Sequence, residues 1–398
     1  MIRLAIVVSH PVQYYVPLYR RLAARGDLEL KVFFTLHAAD GPSHDHGFQR
    51  AFKWDIPLTD GYEWEAVANS VADPGTHHFM GLRNPALVPR LLEWRPDAVH
   101  LTGYFSYSHL LALRELHKRG IPVLFRGDSH LLDGTSFGWR WVAKRALLSR
   151  VFSWPRAFLY VGRANRAYYE AFGVEAEKLF LCPHSIDAGR FARDAERAEE
   201  EARAWRLELG IPAQSTVLLF AGKFETKKRP VALMEAVRRL ERPGLVLVMV
   251  GDGELGEEVR QLAALDPGRF RVLPFQNQSR MPVVYRLGDL FVLPSAFGET
   301  WGLAVNEALA CARPVLVSTR VGCAADVVDR TCGRTFIADD WGDFRRVLDE
   351  VVSDPAQLRA MRAPALTRAG DFDIPVTEAA TMHCLAKVLG TTPAGIQS

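Results

Sequence analysis

Residues 299–318 read ETWGLAVNEALACARPVLVS, and this stretch decides the fold. The strand-like run at residues 289–293 predicts a β-strand, which ends at Pro294-Ser295 and a turn at Gly298. A helical pattern begins near Trp301 and ends before a second apolar run at residues 315–318. Strand, helix and strand in this order predict a β-α-β unit of a parallel sheet.

Two carboxylates, Glu299 and Glu307, lie eight residues apart across the start of this predicted helix. At about 1.5 Å per helical residue they would be roughly 12 Å apart along the axis, which suits hydroxyls at opposite ends of one ligand. The N–H groups at the positive end of the helix dipole would meet an anion between them. These N–H groups belong to Thr300, Trp301, Gly302 and Leu303. Hydroxyls at both ends and negative charge in the middle describe a nucleotide-diphosphate sugar.

At these residues the chain resembles the family 4 glycosyltransferases, which are retaining enzymes of GT-B architecture. Their signature is a strand ending in Pro-Ser, then Glu-x-x-Gly-Leu-x-x-x-Glu-Ala, then Gly-x-Pro-Val. Here it reads Leu293-Pro294-Ser295, Glu299, Gly302-Leu303, Glu307-Ala308 and Ala312-Arg313-Pro314-Val315, with Ala312 in place of the usual glycine. The alternative interpretation is an ordinary β-α-β unit with two solvated glutamates.

Length and composition restrict the class of protein. The 398 residues are too many for one ordinary domain, and 48% hydrophobic with 24% charged residues is typical of a soluble globular chain. A net charge of +3 does not argue for a nucleic-acid partner. The five cysteines are scattered without a C-x-x-C pair, which favours a reducing cytoplasm and no zinc site. We expect neither a signal peptide nor a membrane span.

Apolar strands alternate with helical patterns in two successive series, which predicts two doubly wound parallel sheets. The predicted strands include residues 4–8 and 98–101 in the first series and residues 217–221, 246–250 and 290–293 in the second. The predicted fold class is therefore α/β, and the resemblance implies two Rossmann-like domains that face each other across a cleft. We expect an acceptor-side domain at 1–187, a nucleotide-sugar domain at 188–374, and a terminal segment at 375–398 whose helix returns to the first domain. The linker would be residues 182–187, and residues 41–90 are not assigned.

A basic stretch, GKFETKK at residues 222–228, follows a predicted strand. It resembles the family's Gly-Arg-x-x-x-x-Lys segment, with Gly222 at its start, Lys223 for the arginine and Lys228 for the lysine. The resemblance implies that both cations hold the donor diphosphate and stabilise the charge of the leaving group. A solvated basic turn is the alternative. Phe275 begins the segment where relatives read the nucleobase.

In the first half, His10 and Gln13 lie in the first strand-to-helix loop, where many relatives have Gly-Gly. They are candidates for ligand contact, and a local cap is the alternative for His10. Arg126, Asp128 and His130 follow another strand, where relatives carry His-Asp. By spacing Asp128 takes the place of the family histidine, and His130 is displaced by two residues. An ordinary Asp–Arg ion pair is the alternative.

These features predict a retaining glycosyltransferase that uses a UDP-sugar or GDP-sugar, needs no metal or other cofactor, and transfers to a carbohydrate or glycoconjugate acceptor. In the family the acceptor attacks from the face of the leaving phosphate, which accepts its proton. The alternatives are a GT-B sugar-nucleotide epimerase or hydrolase, and a catalytically silent binding subunit. Residues 139–154 mix aromatic, basic and apolar side chains. Weak contact with the inner membrane surface is left open there, but core packing with a basic outer face is favoured.

Overall fold

The computed structural model describes residues 1–36, 43–45, 50–52, 54–134 and 138–391. Its strands are, in chain order, β1 (Ile2–Val8), β2 (Leu28–Phe34), β3 (Ser43–Asp45), β4 (Arg50–Phe52), β5 (Glu63–Ala66), β6 (Ala98–Thr102), β7 (Val123–Arg126), β8 (Ala157–Tyr160), β9 (Leu179–Leu181), β10 (Thr216–Ala221), β11 (Leu245–Val250), β12 (Phe270–Leu273), β13 (Leu290–Leu293), β14 (Val315–Ser318) and β15 (Gly333–Phe336).

The helices lie between these strands and after the last of them. They are α1 (Val16–Ala23), α2 (Leu87–Trp94), α3 (Tyr107–Lys118), α4 (Trp139–Phe152), α5 (Arg163–Ala171), α6 (Ala188–Ala192), α7 (Ala195–Glu208), α8 (Pro230–Arg238), α9 (Gly256–Leu265), α10 (Met281–Arg286), α11 (Leu303–Ala310), α12 (Ala324–Val327), α13 (Trp341–Val352), α14 (Pro355–Ala360), α15 (Arg362–Gly370) and α16 (Ile374–Leu389). Short 3-10 helices occur at Phe79–Gly81, Ala176–Lys178 and Thr226–Lys228.

The chain divides into two compact units. The first contains Met1–Gly41, Pro57–His184 and Ile374–Ser398, and the second contains Pro42–Ile56 and Ser185–Asp373. The division at His184 lies inside the linker expected at residues 182–187. Asp55 belongs with the second unit because its carboxylate accepts hydrogen bonds from the backbone N–H and the hydroxyl of Ser279. Residues 41–90, which include Asp55, were not assigned from the sequence.

The first unit is built on a seven-stranded sheet in the order β5-β2-β1-β6-β7-β8-β9. Every neighbouring pair is parallel, and the strands are apolar because helices cover both faces. Two hydrophobic clusters lie on opposite faces of the sheet, one around Phe125 and Phe158 and the other around Ile6 and Leu159.

The second unit has a six-stranded parallel sheet in the order β12-β11-β10-β13-β14-β15. Successive strands are added on one side of β10 up to β12 and on its other side from β13 to β15, so the strand order reverses beside β10. In such sheets ligands bind at that point, outside the carboxyl ends of the strands. The described strands β3 and β4 form a separate antiparallel pair.

Both sheets confirm the predicted α/β class with two Rossmann-like domains. The strands predicted at residues 4–8, 98–101, 217–221, 246–250 and 290–293 all exist, with shifts of one or two residues at their ends. The sequence did not predict β5, β9 and β15, which are short and carry polar or exposed residues.

The terminal helix α16 belongs to the first unit, where it packs on α1, β8 and β9. Glu378 accepts hydrogen bonds from Arg21 at 2.5 Å and from Arg25 at 3.2 Å. The thiol of Cys182 lies 3.6 Å from the hydroxyl of Thr381 inside the core. The final helix is therefore part of the core of the first unit.

Candidate functional site

Two strand-to-helix loops of the second unit lie in backbone contact. Gly222 donates to the carbonyl of Val250 at 2.9 Å, and Phe224 donates to the carbonyl of Asp252 at 2.9 Å. A Cβ atom on Gly251 would lie 1.9 Å from the carbonyl oxygen of Gly222, so only glycine fits there. The Gly-Asp-Gly turn at residues 251–253 therefore holds the basic loop at the carboxyl end of β10.

Lys228 ends the 3-10 helix of this loop and reaches Glu299. Its ammonium donates a hydrogen bond to Oε2 of Glu299, and the two side chains are only 14% and 15% exposed. The hydroxyl of Ser295, at the end of β13, donates to the same oxygen at 3.0 Å. The structure thus brings together the two predicted catalytic residues Lys228 and Glu299, 71 residues apart in sequence.

The charge of Glu299 is stabilised although its carboxylate is largely buried. Burial alone would raise its pKa, but the ammonium of Lys228, aided by Lys227 and the hydrogen bond from Ser295, holds the pKa below its ordinary value. Glu299 is thus an ionised hydrogen-bond acceptor at neutral pH.

The start of α11 lies next to this pair. Gly302 precedes the helix with φ of 92°, a left-handed conformation that favours glycine. A Cβ on Gly302 would also lie 2.7 Å from Val321. Trp301 is buried, and its indole N–H donates to Asn306 at 3.1 Å. The helix therefore begins where the sequence predicts, with Thr300–Leu303 at its positive end.

Glu307 lies inside α11 and is 2% exposed. The hydroxyl of Tyr285, on α10, donates to its Oε2 at 2.5 Å. A carboxyl group this deeply buried needs such a partner, and the bond from Tyr285 fixes its orientation. The structure places Glu307 on the same helix whose start lies beside Glu299.

The end of α11 explains the departure from the family signature at Ala312. Ala312 N donates to Leu309 O at 2.8 Å, and Arg313 N donates to Ala308 O at 2.9 Å. This is a Schellman motif, whose left-handed position is usually glycine. Ala312 occupies that position with φ of 55°. The glycine of the signature therefore serves to end the helix.

The remaining predicted donor-side residues are also in the second unit. The ammonium of Lys223 lies 3.9 Å from Glu225, which also pairs with Lys227 at 3.2 Å. Phe275 is half-buried in the loop after β12. The guanidinium of Arg190 holds that loop by two 2.7 Å hydrogen bonds to Gln278.

In the first unit, Arg126 is buried at the end of β7. It donates to the carbonyls of Cys182 at 2.8 Å and Pro183 at 3.2 Å. These contacts fix residues 182–183, where the chain passes out of the first unit, at the carboxyl end of the sheet. They give Arg126 a positioning role, and its predicted ligand contact stays a prediction.

Asp128 lies beside His184, with 3.9 Å between its Oδ2 and the imidazole Nε2. The ring of His184 stacks on Tyr15, at a centroid distance of 6.0 Å. Burial lowers the pKa of His184, and Asp128 opposes this shift without reversing it. His184 is therefore a neutral imidazole next to the half-exposed Asp128.

His130 belongs to a loop that α5 holds in place. Asn165 donates to the carbonyl of Ser129 at 2.8 Å, and Tyr169 donates to that of Gly127 at 3.2 Å. The Nδ1 atom of His130 accepts from Leu132 N at 3.2 Å. Its Nε2 is buried and has no hydrogen-bond partner among the residues that the structure describes.

The loop after β1 carries His10 and Gln13. His10 is exposed, and its Nδ1 lies 2.9 Å from the hydroxyl of Ser9, the contact expected of a local cap. Gln13 is half-buried before α1. Ligand contact by either residue stays a prediction.

One group in the described part of the chain has the side chains of a metal site, namely Asp73, His77 and His78, whose ligand atoms lie within 4.8 Å of one another. It contains none of the predicted site residues. Over the same described residues, no helix has the length and apolar character to cross a membrane.

Four residues at these sites were not predicted. Ser295 was quoted only as part of the motif, and His184 only as part of the linker. Tyr15 lies in a loop that was examined for other side chains. Tyr285 had no local signal, because its partner Glu307 is 22 residues away.

Two family models match the chain. The "Glycosyl transferase 4-like domain" matches residues 11–184, and "Glycosyl transferases group 1" matches residues 201–367. D-inositol 3-phosphate glycosyltransferase 2 of Catenulispora acidiphila is 29% identical over 225 residues, or 53% of this chain and 51% of that protein. D-inositol 3-phosphate glycosyltransferase of Rhodococcus jostii is 28% identical over 350 residues, or 80% of this chain and 74% of that protein.

Solved structures share the fold. The crystal structure of Anabaena Alr3699/HepE in complex with UDP and glucose aligns with a TM-score of 0.70 and 14% identity, over 97% of this chain and 100% of that one. The chain spans about half the length of the first curated relatives that it matches. One glycosyltransferase family model therefore matches each half of the chain, and the fold is that of the solved structure above.

Proposed function

We propose that the protein transfers a sugar from a nucleoside-diphosphate sugar to an acceptor hydroxyl, with retention of the anomeric configuration and without a bound metal ion. The observation that carries the proposal is the Lys228–Glu299 pair, held at the ends of β10 and β13 next to the start of α11. A cation, an ionised carboxylate and a helix N-terminus at the carboxyl edge of one parallel sheet suit a ligand with both phosphate and hydroxyl groups.

The proposed donor site uses each group for one task. Lys223, Lys228 and the backbone of Thr300–Leu303 bind the diphosphate, Glu299 accepts hydrogen bonds from sugar hydroxyls, and Glu307 accepts them from the ribose. Phe275 and its loop contact the base. Because Anabaena HepE was crystallised with UDP, uridine nucleotides are the first donors to test.

In the proposed reaction the bond between the anomeric carbon and the diphosphate oxygen breaks, and a bond to the acceptor oxygen forms on the same face. The acceptor proton passes to the departing phosphate oxygen, so no protein carboxylate acts as base. Lys228 and the helix start stabilise the charge that develops on the leaving group. In the first unit, Asp128 and His130 are the candidate contacts for sugar or acceptor hydroxyls.

The alternatives are an epimerase or hydrolase, which would consume donor without acceptor, and a binding subunit without activity. The formed Lys228–Glu299 pair and the buried Glu307 favour catalysis over a silent subunit. Because the two curated relatives above are named for inositol phosphate, that compound is the first acceptor to test, followed by other glycans and glycolipids.

The test has two stages. Thermal unfolding with UDP, GDP and ADP identifies the nucleotide, since a ligand of the native state raises the melting temperature. Donor turnover is then measured with and without acceptors, and the anomeric configuration of the product is determined by NMR. Glu299→Gln should abolish transfer, whereas Glu208→Gln, at an exposed position of α7, should not. Donor consumption without acceptor dependence, or an inverted product, would contradict the proposal.

A further inference from the structure

The helix α4 has two apolar faces. Leu148, Val151 and Phe152 are buried against the core of the first unit. A second set, Trp139, Val142, Ala143, Ala146 and Leu147, follows the i, i+3, i+4, i+7, i+8 spacing of one continuous helix face. All five of these side chains are exposed. The sequence favoured core packing with a basic outer face. The structure confirms the core packing, and the exposed residues of α4 include this apolar set as well as the four basic residues.

The exposure of this outer face is unusual for such large side chains. Trp139 is 77% exposed, Val142 is 62% exposed and Leu147 is 63% exposed. No other part of the described chain covers them. A contiguous apolar face on a helix marks an interaction surface, whereas scattered single residues do not.

Basic residues flank the outer face. At 100° per residue, Arg140 and Arg145 fall on its two sides, with Arg150 near its C-terminal end. Residues 139–152 contain four basic residues, counting Lys144, and no acidic residue. Arg140 lies 5.6 Å from the ring of Trp139, and Arg145 lies 5.3 Å from that of Trp141. The Arg140 guanidinium is thus held beside Trp139 of the outer face, and the Arg145 guanidinium is held against Trp141, which is not part of that face.

We propose that α4 binds the surface of an anionic phospholipid bilayer. Trp139, Val142 and Leu147 would enter the boundary between headgroups and acyl chains, and Arg140 and Arg145 would meet lipid phosphates. A basic helix with an exposed apolar stripe that includes Trp matches the composition of interfacial helices. A purely positive rim is complementary to an anionic bilayer, and it would repel an identical rim on a second copy of this chain.

The experiment is co-sedimentation of the full chain with vesicles of phosphatidylcholine, alone or mixed with phosphatidylglycerol. Wild type should bind the anionic vesicles and lose binding as salt is added. Trp139→Asp/Leu147→Asp should weaken binding by at least about tenfold. Arg140→Gln/Arg145→Gln should weaken it by roughly fivefold per charge removed.

The matched control is Leu207→Asp/Leu265→Asp, which changes two leucines of the second unit that are 70% and 72% exposed. It should bind vesicles like wild type. Circular dichroism melts verify that each variant is folded. Equal binding by the Trp139/Leu147 variant and wild type would overturn the proposal, as would absence of wild-type binding at low salt. A concentration-dependent dimer that the Trp139/Leu147 variant abolishes would assign the face to a second copy instead.

Discussion

Lys228 and Glu299 form a largely buried ion pair between the loops that follow β10 and β13. A diphosphate bound beside this pair would add negative charge next to an existing carboxylate. The ammonium of Lys228 would then stabilise the negative charge of both the carboxylate and the diphosphate. This stabilisation should increase as the leaving group gains charge.

We therefore expect Lys228→Ala to reduce turnover more than donor affinity, because only interactions that strengthen in the transition state accelerate the reaction. Lys228→Arg should recover part of the rate, since the charge remains while its geometry changes. Turnover at saturating substrates is compared with the donor dissociation constant. Lys227→Ala, which removes a neighbouring cation paired with Glu225, is the control and should have a smaller effect. A weaker donor affinity with unchanged turnover would limit Lys228 to holding the donor.

Glu307→Ala should weaken binding of the nucleoside diphosphate by roughly tenfold to a hundredfold, since charge-assisted hydrogen bonds contribute about 1.5–3 kcal/mol each. Tyr285→Phe keeps the carboxylate and removes the bond that orients it, so it should cost only about twofold to tenfold. Calorimetry with the free nucleotide measures both. Wild-type affinity in a folded Glu307→Ala protein would remove this residue from the site.

Chelation with EDTA should leave transfer largely intact, because lysines and helix N–H groups are the proposed diphosphate ligands. The measurement is donor turnover before and after chelation, with magnesium and manganese added back. Loss of activity that either cation restores would show that the reaction needs a metal ion.

His100→Leu should make the protein less sensitive to acid. Burial, and then the charge of Arg126, lower the pKa of His100 to about 3 from the ordinary 6.5, and neither ring nitrogen has a hydrogen-bond partner among the described residues. Because the folded-state pKa is depressed, the unfolded chain binds a proton first. His100 therefore costs stability as pH falls from 6.5 towards 3, by about 1.4 kcal/mol per unit.

Urea unfolding at several pH values measures this effect. The variant should show a shallower loss of stability below about pH 6.5. His117→Leu, at an exposed position of α3, is the control. Parallel pH profiles for wild type and His100→Leu would contradict the assignment.

Ala312→Gly should stabilise the second unit by roughly 0.5–1 kcal/mol, because glycine adopts the left-handed conformation at the end of α11 without steric cost. Ala310→Gly, at the buried last residue of the same helix, should instead destabilise it by about 1 kcal/mol. The free energy of urea unfolding measures both changes. A destabilised Ala312→Gly protein would show that the alanine methyl contributes more by packing than its backbone strain costs.

The central strands were predictable because they are continuous apolar runs that both faces of the sheet bury. The strand β5 was not, because Glu-Trp-Glu-Ala at a sheet edge has no apolar run. Local signals also predicted the start of α11, where Gly302 marks the turn. Contacts between distant residues left no such signal. Glu199 of α7, for example, pairs with Arg313 at 2.5 Å across 114 residues.

The position of α16 affects how the chain folds during synthesis. Residues 185–373 make up most of the second unit, and the ribosome produces all of them after β9 and before α16. At a synthesis rate of about 5–20 residues per second, roughly ten to forty seconds pass between the synthesis of β9 and that of α16. Until then the core face of β8 and β9 lacks its last covering helix. During that interval Cys182 and Leu159, both buried in the finished protein, lack this cover. The first unit can therefore complete its core only after residues 185–373 have been made.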